Sequence, residues 1–254
     1  AVSALDGWLA RRLNQTSAFG ALSLMGPNAR ALLSEIAEGE LSNEKFPFGH
    51  VRNIYVAGAP VRALRVSFVG ELGWELHIPT EYVATVYDAL KVAGARHGLV
   101  DAGYQAINSL RLEKGYRVWG ADLSPDLTPF ECGLGFAVSF KKNADFIGRA
   151  ALEPLRGKTP KKRIVTFAVA DPEAIILGGE AIYRDGVVAG QIYSGGRGFT
   201  VDKEIGLGAL SSPDGVDDAT VKAGRYELEI AMRRYPAEVT TEPLYDPKGA
   251  RLAS

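Results

Sequence analysis

Short blocks of alternating apolar and polar positions in the first half of the chain predict strands interleaved with amphipathic helices. Residues 17–24 read as a buried strand, and Met25-Gly26-Pro27-Asn28 then turns into a helix over residues 29–36. Pro27 suits that entry because the first helical turn does not need its missing N–H. Residues 51–56 and 61–68 predict two strands joined at Ala57-Gly58-Ala59-Pro60, where Gly and Pro supply the turn backbone. Residues 71–78 continue extended after a Val69-Gly70 turn. A helix opens at Thr80-Glu81 with Val83, Val86, Leu90 and Val92 assigned to one face, and it ends near Gly94. A further helix fits residues 103–114, closed by Gly115 as its C′ residue.

The pattern then changes. Residues 122–129 are rich in turn formers and lead to an expected apolar strand over residues 135–140. The polar, basic stretch Gly157-Lys158-Thr159-Pro160-Lys161-Lys162-Arg163 is the best boundary, dividing an α+β region, residues 1–160, from a second domain, residues 161–254. Beyond it, strands are expected at 164–169, 180–183, 187–193, 206–210, 225–230 and 233–239, with Asp185-Gly186 a hairpin turn. Several short antiparallel strands between turn signals predict a small β-barrel or sandwich. The fold class is α+β followed by all-β.

Composition narrows the function classes. A net charge of −1 over 254 residues lacks the cationic surplus of a dedicated nucleic-acid binder. With 46% hydrophobic and 23% charged residues the chain has the usage of a globular protein with a real core. The single cysteine, Cys132, allows neither an intrachain disulfide nor a cysteine-built metal cage, and it points to an intracellular, cytoplasmic location. No apolar run approaches the roughly 20 residues of a membrane span, so no membrane role is expected. The chain opens on Ala1 without an initiator Met, which fits either Met removal or the cut end of something longer.

Phosphate-loop, dinucleotide, zincin and nucleophile-elbow motifs are all missing. Gly133-Leu134-Gly135 leads into an expected strand, so it places no helix amino terminus under a phosphate. His50, His77 and His97 are scattered without a ligand-spaced partner, no metal site is expected, and Cys132 reads as a small buried hydrophobe. What remains is the segment from Ser67 to His77, in which Glu71 and Glu75 flank Trp74 and glycines interrupt the strand. An inward Glu75 needs donors: either Arg65 or Arg111 in a structural ion pair, or the guanidine-like edge of a ligand such as the 2-amino-pyrimidinone of a pterin. A second cluster, from Ser109 to Gly120, gathers Arg111, Lys114, Arg117, Tyr116 and Trp119 at a helix end. Such a mixture suits a flat anionic ligand and equally an ordinary helix terminus.

Together these segments resemble the aminomethyltransferase family that includes the glycine cleavage T-protein. The motifs are Gly70-Glu71-Leu72-Gly73-Trp74-Glu75-Leu76, Gly98-Leu99-Val100-Asp101-Ala102-Gly103, the run from Ser109 to Gly115, Pro129-Phe130-Glu131 with Gly133-Leu134-Gly135-Phe136, and Asp145-Phe146-Ile147-Gly148-Arg149. Glu113-Lys114-Gly115-Tyr116-Arg117 with Trp119-Gly120, and the ending Glu242-Pro243-Leu244-Tyr245-Asp246-Pro247-Lys248, bring it closer to the folate-binding half of dimethylglycine and sarcosine dehydrogenases or oxidases. The resemblance implies a T-protein-like cloverleaf around a tetrahydrofolate channel, ending in the small antiparallel barrel. It implies that Glu75 grips the pterin, with Phe68 standing where relatives often carry a tyrosine near the folate. Trp74, Arg111, Tyr116, Trp119 and Arg197 are the further cofactor-binding candidates it implies, and no metal is involved.

The family normally carries a further amino-terminal stretch with the aspartate that orients folate and assists transfer, and this chain is expected to begin after it. Asp6 stands in the wrong motif context for that role, so no catalytic residue is assigned. The implied activity is capture, as 5,10-methylenetetrahydrofolate, of the carbon released by oxidative demethylation of a dimethylglycine- or sarcosine-type amine. FAD is expected only in a partner or preceding domain, so a flavoprotein domain or subunit is the expected partner beside folate. A non-catalytic folate-binding or interaction subunit, and a folate-dependent demethylase of another methylated substrate, stay open.

Overall fold

The computed structural model of the chain describes residues 15–253, so Asp6 and the opening of the chain lie outside the described residues. The described residues form two compact units, one of residues 15–107 with 248–253 and the other of residues 108–247.

The first unit contains β1 (Phe19–Met25), α1 (Ala29–Ile36), β2 (Val51–Val56), β3 (Ala59–Leu64), β4 (Gly73–Pro79) and α2 (Val83–Gly94). The strands make one antiparallel sheet in the order β1-β4-β3-β2. Alternation along β4 decides its two faces: Trp74, Leu76 and Ile78 are buried while Glu75, His77 and Pro79 are not. The buried face joins Leu32, Leu33, Phe46, Val56, Val86 and Leu90 in one core. Each such side chain removed from water contributes about 1.5–3 kcal/mol. The β2–β3 connection is tighter than the expected four-residue turn: Ala57 and Gly58, at φ 49° and 76°, form the whole loop, and Ala59-Pro60 already belong to β3. On α2, Val92 turns to solvent rather than sharing the face of Val86 and Leu90, because two residues past Leu90 is over half a helical turn away. Arg96 and His97, beyond α2, converge on Glu35 of α1, with His97 Nε2 2.7 Å from its carboxylate. These partners pull the Glu35 pKa from the ordinary 4.5 to about 2.

The helix α3 (Tyr104–Glu113) ends as expected at Gly115, whose φ of 66° is the left-handed value that glycine adopts freely. The expected strand over residues 135–140 does not form. Gly135–Ala137 is a single 3-10 turn, Phe136 is exposed, and no neighbouring strand offers the ladder partners an extended segment needs. Aromatic contacts hold this stretch instead: the Phe140 ring stacks on Phe130 at 6.4 Å and meets Phe146 at 6.1 Å.

Six strands follow: β5 (Lys162–Val169), β6 (Ala181–Arg184), β7 (Val187–Gly198), β8 (Lys203–Ser211), β9 (Tyr226–Ile230) and β10 (Arg233–Thr240), with α4 (Asp218–Ala223) between β8 and β9. They close into an antiparallel barrel in the order β10-β5-β8-β7-β6-β9, which leaves no sheet edge unpaired. Of the two expected architectures the barrel is therefore the one formed. Asp185 and Gly186, at φ 52° and 83°, make the two-residue β6–β7 turn. Gly190 is required by closure: a Cβ there would stand 1.9 Å from the carbonyl oxygen of Ala209 on β8. Val165, Phe167, Ile182, Ile192 and Leu228 fill the interior, with Phe167 edge-on to Tyr226 at 5.9 Å.

Candidate functional site

In the sheet unit, pleat and register bring the polar side chains of β4 onto the sheet face that the helices leave open. Glu75 lies opposite Ser23 of β1 and Leu64 of β3, and His77 lies opposite Ala21 and Arg62. Both side chains are half-buried, Glu75 at 37% and His77 at 38% exposure. Their approach, His77 Nε2 to Glu75 Oε2 at 3.8 Å, is the one ion contact of Glu75 among the described residues. Neither expected structural partner reaches it. Arg65 donates to the carbonyl oxygens of Phe46, at 2.7 Å, and Leu252, at 3.3 Å, while Arg111 pairs elsewhere. A carboxylate placed this way keeps acceptor lone pairs for a donor from outside the sheet. On the same face a cleft of about 430 Å³ is lined by Phe19, Val51, Leu64, Arg62 and His77, with Gln15 and Thr16 at its rim. That volume falls within the range of small-molecule sites.

Trp74 faces the other way. It is 0% exposed, edge-on to Phe46 at 6.1 Å, with the guanidinium groups of Arg65 and Arg30 at 5.6 and 5.9 Å from its ring centre. Its role is to pin β4 from below, because adjacent residues of a strand point to opposite faces. Phe68 is half-buried in the loop between β3 and β4, after which Gly70, at φ 80°, turns the chain into the strand.

In the barrel unit the expected cluster at the end of α3 is a buried charge network. Arg111 (3% exposed) donates through Nη1 to Asp122 (0% exposed) at 2.6 Å and to the Tyr116 carbonyl at 3.0 Å. Its Nε and Nη2 donate to Asn108 Oδ1. Asp122 also accepts from the Val118 N–H and the Ser194 hydroxyl. Burial pulls the Arg111 pKa down, opposed by the Asp122 charge. Glu113 accepts the Thr200 and Val201 N–H groups, and Lys114 binds Asp246 at 2.9 Å, so the motif ties down the β7–β8 turn and the end of the barrel. Arg197 is held by Asp202 and Glu204, and its backbone carbonyl accepts from Ser109 at 2.6 Å. Burial raises the Glu204 pKa against the pull of that arginine. Tyr116 is half-buried, with its phenol pKa raised by burial and the Asp246 charge. Trp119, 70% exposed, borders an apolar cleft of about 230 Å³ shared with Leu123, Leu127, Leu134, Val138 and Cys132. The Cys132 thiol is pushed up by burial, which keeps it protonated.

The seven expected site residues thus divide, with Phe68, Trp74 and Glu75 in the sheet unit and Arg111, Tyr116, Trp119 and Arg197 in the barrel unit. Sequence reasoning missed His77 as a neighbour of Glu75, although a spacing of two on a strand is the signal that places both on one face. It also missed Asp122, whose pairing with Arg111 depends on an irregular loop. Among the described residues no group of three or more His, Cys, Asp or Glu could hold a metal ion, and no helix is long and apolar enough to cross a membrane.

The elements and strand order define an α+β protein with a closed antiparallel barrel domain. Residues 7–142 match the GCVT N-terminal domain, residues 162–246 match the glycine cleavage T-protein C-terminal barrel domain, and the chain belongs to this aminomethyltransferase family. It is 44% identical to human mitochondrial sarcosine dehydrogenase over 94% of its own length and 26% of that protein. It is 36% identical to mouse mitochondrial dimethylglycine dehydrogenase over 94% of its length and 27% of that protein. The chain therefore spans about a quarter of these relatives. The crystal structure of glycine cleavage system aminomethyltransferase T from Bartonella henselae shares the fold, with a TM-score of 0.74 at 24% identity over 89% of this chain and 60% of that one.

Proposed function

We propose that the chain is a tetrahydrofolate-binding module that receives the one-carbon unit released by oxidative demethylation of a sarcosine- or dimethylglycine-type amine. The observation that carries this reading is Glu75: a half-exposed carboxylate on an open sheet face that forms no ion pair with an Arg or Lys among the described residues. Family membership and the similarity to two demethylating dehydrogenases support the ligand class.

The residues present fit the folate. Glu75 would accept the paired ring N–H and 2-amino donors of the pterin, each such charge-assisted bond contributing about 1.5–3 kcal/mol. Trp74 and the sheet behind it hold the strand that carries Glu75, so the carboxylate is aimed before ligand arrives. Phe68, in the same unit as Glu75, offers a ring face for the cofactor. Arg111 and Arg197 act in this reading through the loops they brace, since Asp122, Asp202 and Glu204 already engage their guanidinium groups. Bound tetrahydrofolate supplies the N5 and N10 nitrogens that take up the one-carbon unit. The amine oxidation belongs to FAD in a flavoprotein domain or subunit, the proposed partner. Cys132, free and buried, suits a reducing compartment such as the cytoplasm or the mitochondrial matrix.

Titration calorimetry of tetrahydrofolate into the wild-type chain and Glu75→Ala tests the reading. Affinity is expected to fall tenfold or more in the variant, and equal affinities would sink the assignment.

A further inference from the structure

We propose that His77 is a positioning residue that holds the Glu75 carboxylate for a donor-edged ligand; the inference rests on the folate reading of Glu75. The two side chains share the open face of β4 at a spacing of two residues. Although half the imidazole is exposed, its Nε2 is buried from water and has no hydrogen-bond partner. A buried polar atom left without a partner is destabilising, so it gains by closing on any acceptor within reach. Glu75 Oε2, at 3.8 Å, is that acceptor: too far for a hydrogen bond, near enough for a small rotation of either side chain to make one.

The surroundings single out this pair. From β3, Arg62 faces His77 across the ladder, a cation with no ion-pair partner among the described residues. From β1, Phe19, Ala21 and Ser23 share the face, and from β2, Val51, Asn53 and Tyr55. None of these carries a carboxylate, so Glu75 is the acid that confronts the imidazole. Two parallel donors of a ligand would occupy one lone pair on each carboxylate oxygen, leaving a second on Oε2 for His77. An N–H on His77 Nε2, donated to that lone pair, would therefore fix the plane of the carboxylate.

The test is calorimetric binding of tetrahydrofolate under anaerobic, reducing conditions, on the full chain and its Glu75→Gln, His77→Gln and His77→Ala variants. His77→Ala is expected to bind about tenfold more weakly than wild type, and His77→Gln, which keeps an N–H donor at that position, within about threefold of it. Wild-type affinity in both His77 variants, with Glu75→Gln still weakened, overturns this proposal alone. Wild-type affinity in Glu75→Gln overturns the folate reading beneath it.

Discussion

The sheet unit and the barrel unit each pair a charge that sequence reasoning marks as a ligand contact, Glu75 and Arg111, with a neighbour it missed, His77 and Asp122, and the structure uses the two pairs in opposite ways. In the barrel unit Arg111 and Asp122 are buried and almost fully satisfied by each other, Asn108, Tyr116, Val118 and Ser194. In the sheet unit Glu75 and His77 are half-exposed and stop short of a hydrogen bond. The first arrangement has spent its charge on holding loops; the second keeps a carboxylate available. Partner inventory therefore separates a structural charge from a binding charge better than residue type does.

Breaking the buried pair is the largest perturbation. Asp122→Ala strands the Arg111 charge and leaves the Val118 N–H and Ser194 hydroxyl without their acceptor. It is expected to cost about 3–5 kcal/mol in urea unfolding; a loss under about 1 kcal/mol would erase the contrast between the units. Arg111→Lys keeps the charge but cannot reach Asp122, Asn108 and Tyr116 together, and a loss of roughly 1–2 kcal/mol is expected by the same measurement. Glu75→Gln should act in the opposite sense, moving stability by less than about 0.5 kcal/mol while weakening tetrahydrofolate binding by tenfold or more. A Glu75→Gln chain that unfolds early and binds normally would reverse the assignment of roles.

The exposed cluster of Glu35, Arg96 and His97 supplies the smallest effect. The Glu35 pKa is depressed, so its stabilising contribution is present above the ordinary value of 4.5 and is lost as pH falls toward about 2. Glu35→Gln is expected to lower stability modestly at neutral pH, where that contribution is present, and so to flatten the acid limb of the stability–pH curve in that window. An unchanged acid limb would mean that the salt bridge is not maintained in solution.

Strand alternation and turn chemistry made much of this fold legible in advance. Asp185-Gly186 and Gly115 stand where a left-handed backbone is needed, and the strands after residue 160 close as expected. The strand expected over residues 135–140 failed because an apolar run reveals no ladder partner; Phe130, Phe140 and Phe146 pack on one another instead. Val92 failed because apolarity was given precedence over helical phase. At the site, the parity of β4 already implied that Trp74 and Glu75 face opposite ways and that His77 joins Glu75. Asp122 was not legible, since an irregular loop returns it to Arg111 with no periodicity to announce it.

The central claim is that Glu75 holds the donor edge of a pterin, and one calorimetric cycle tests it most directly. Tetrahydrofolate and an analogue lacking only the 2-amino group are each titrated into wild type and Glu75→Gln. A direct contact predicts a coupling of about 1.5–3 kcal/mol between the side chain and the amino group. Strictly additive losses, with coupling under about 0.5 kcal/mol, would contradict it.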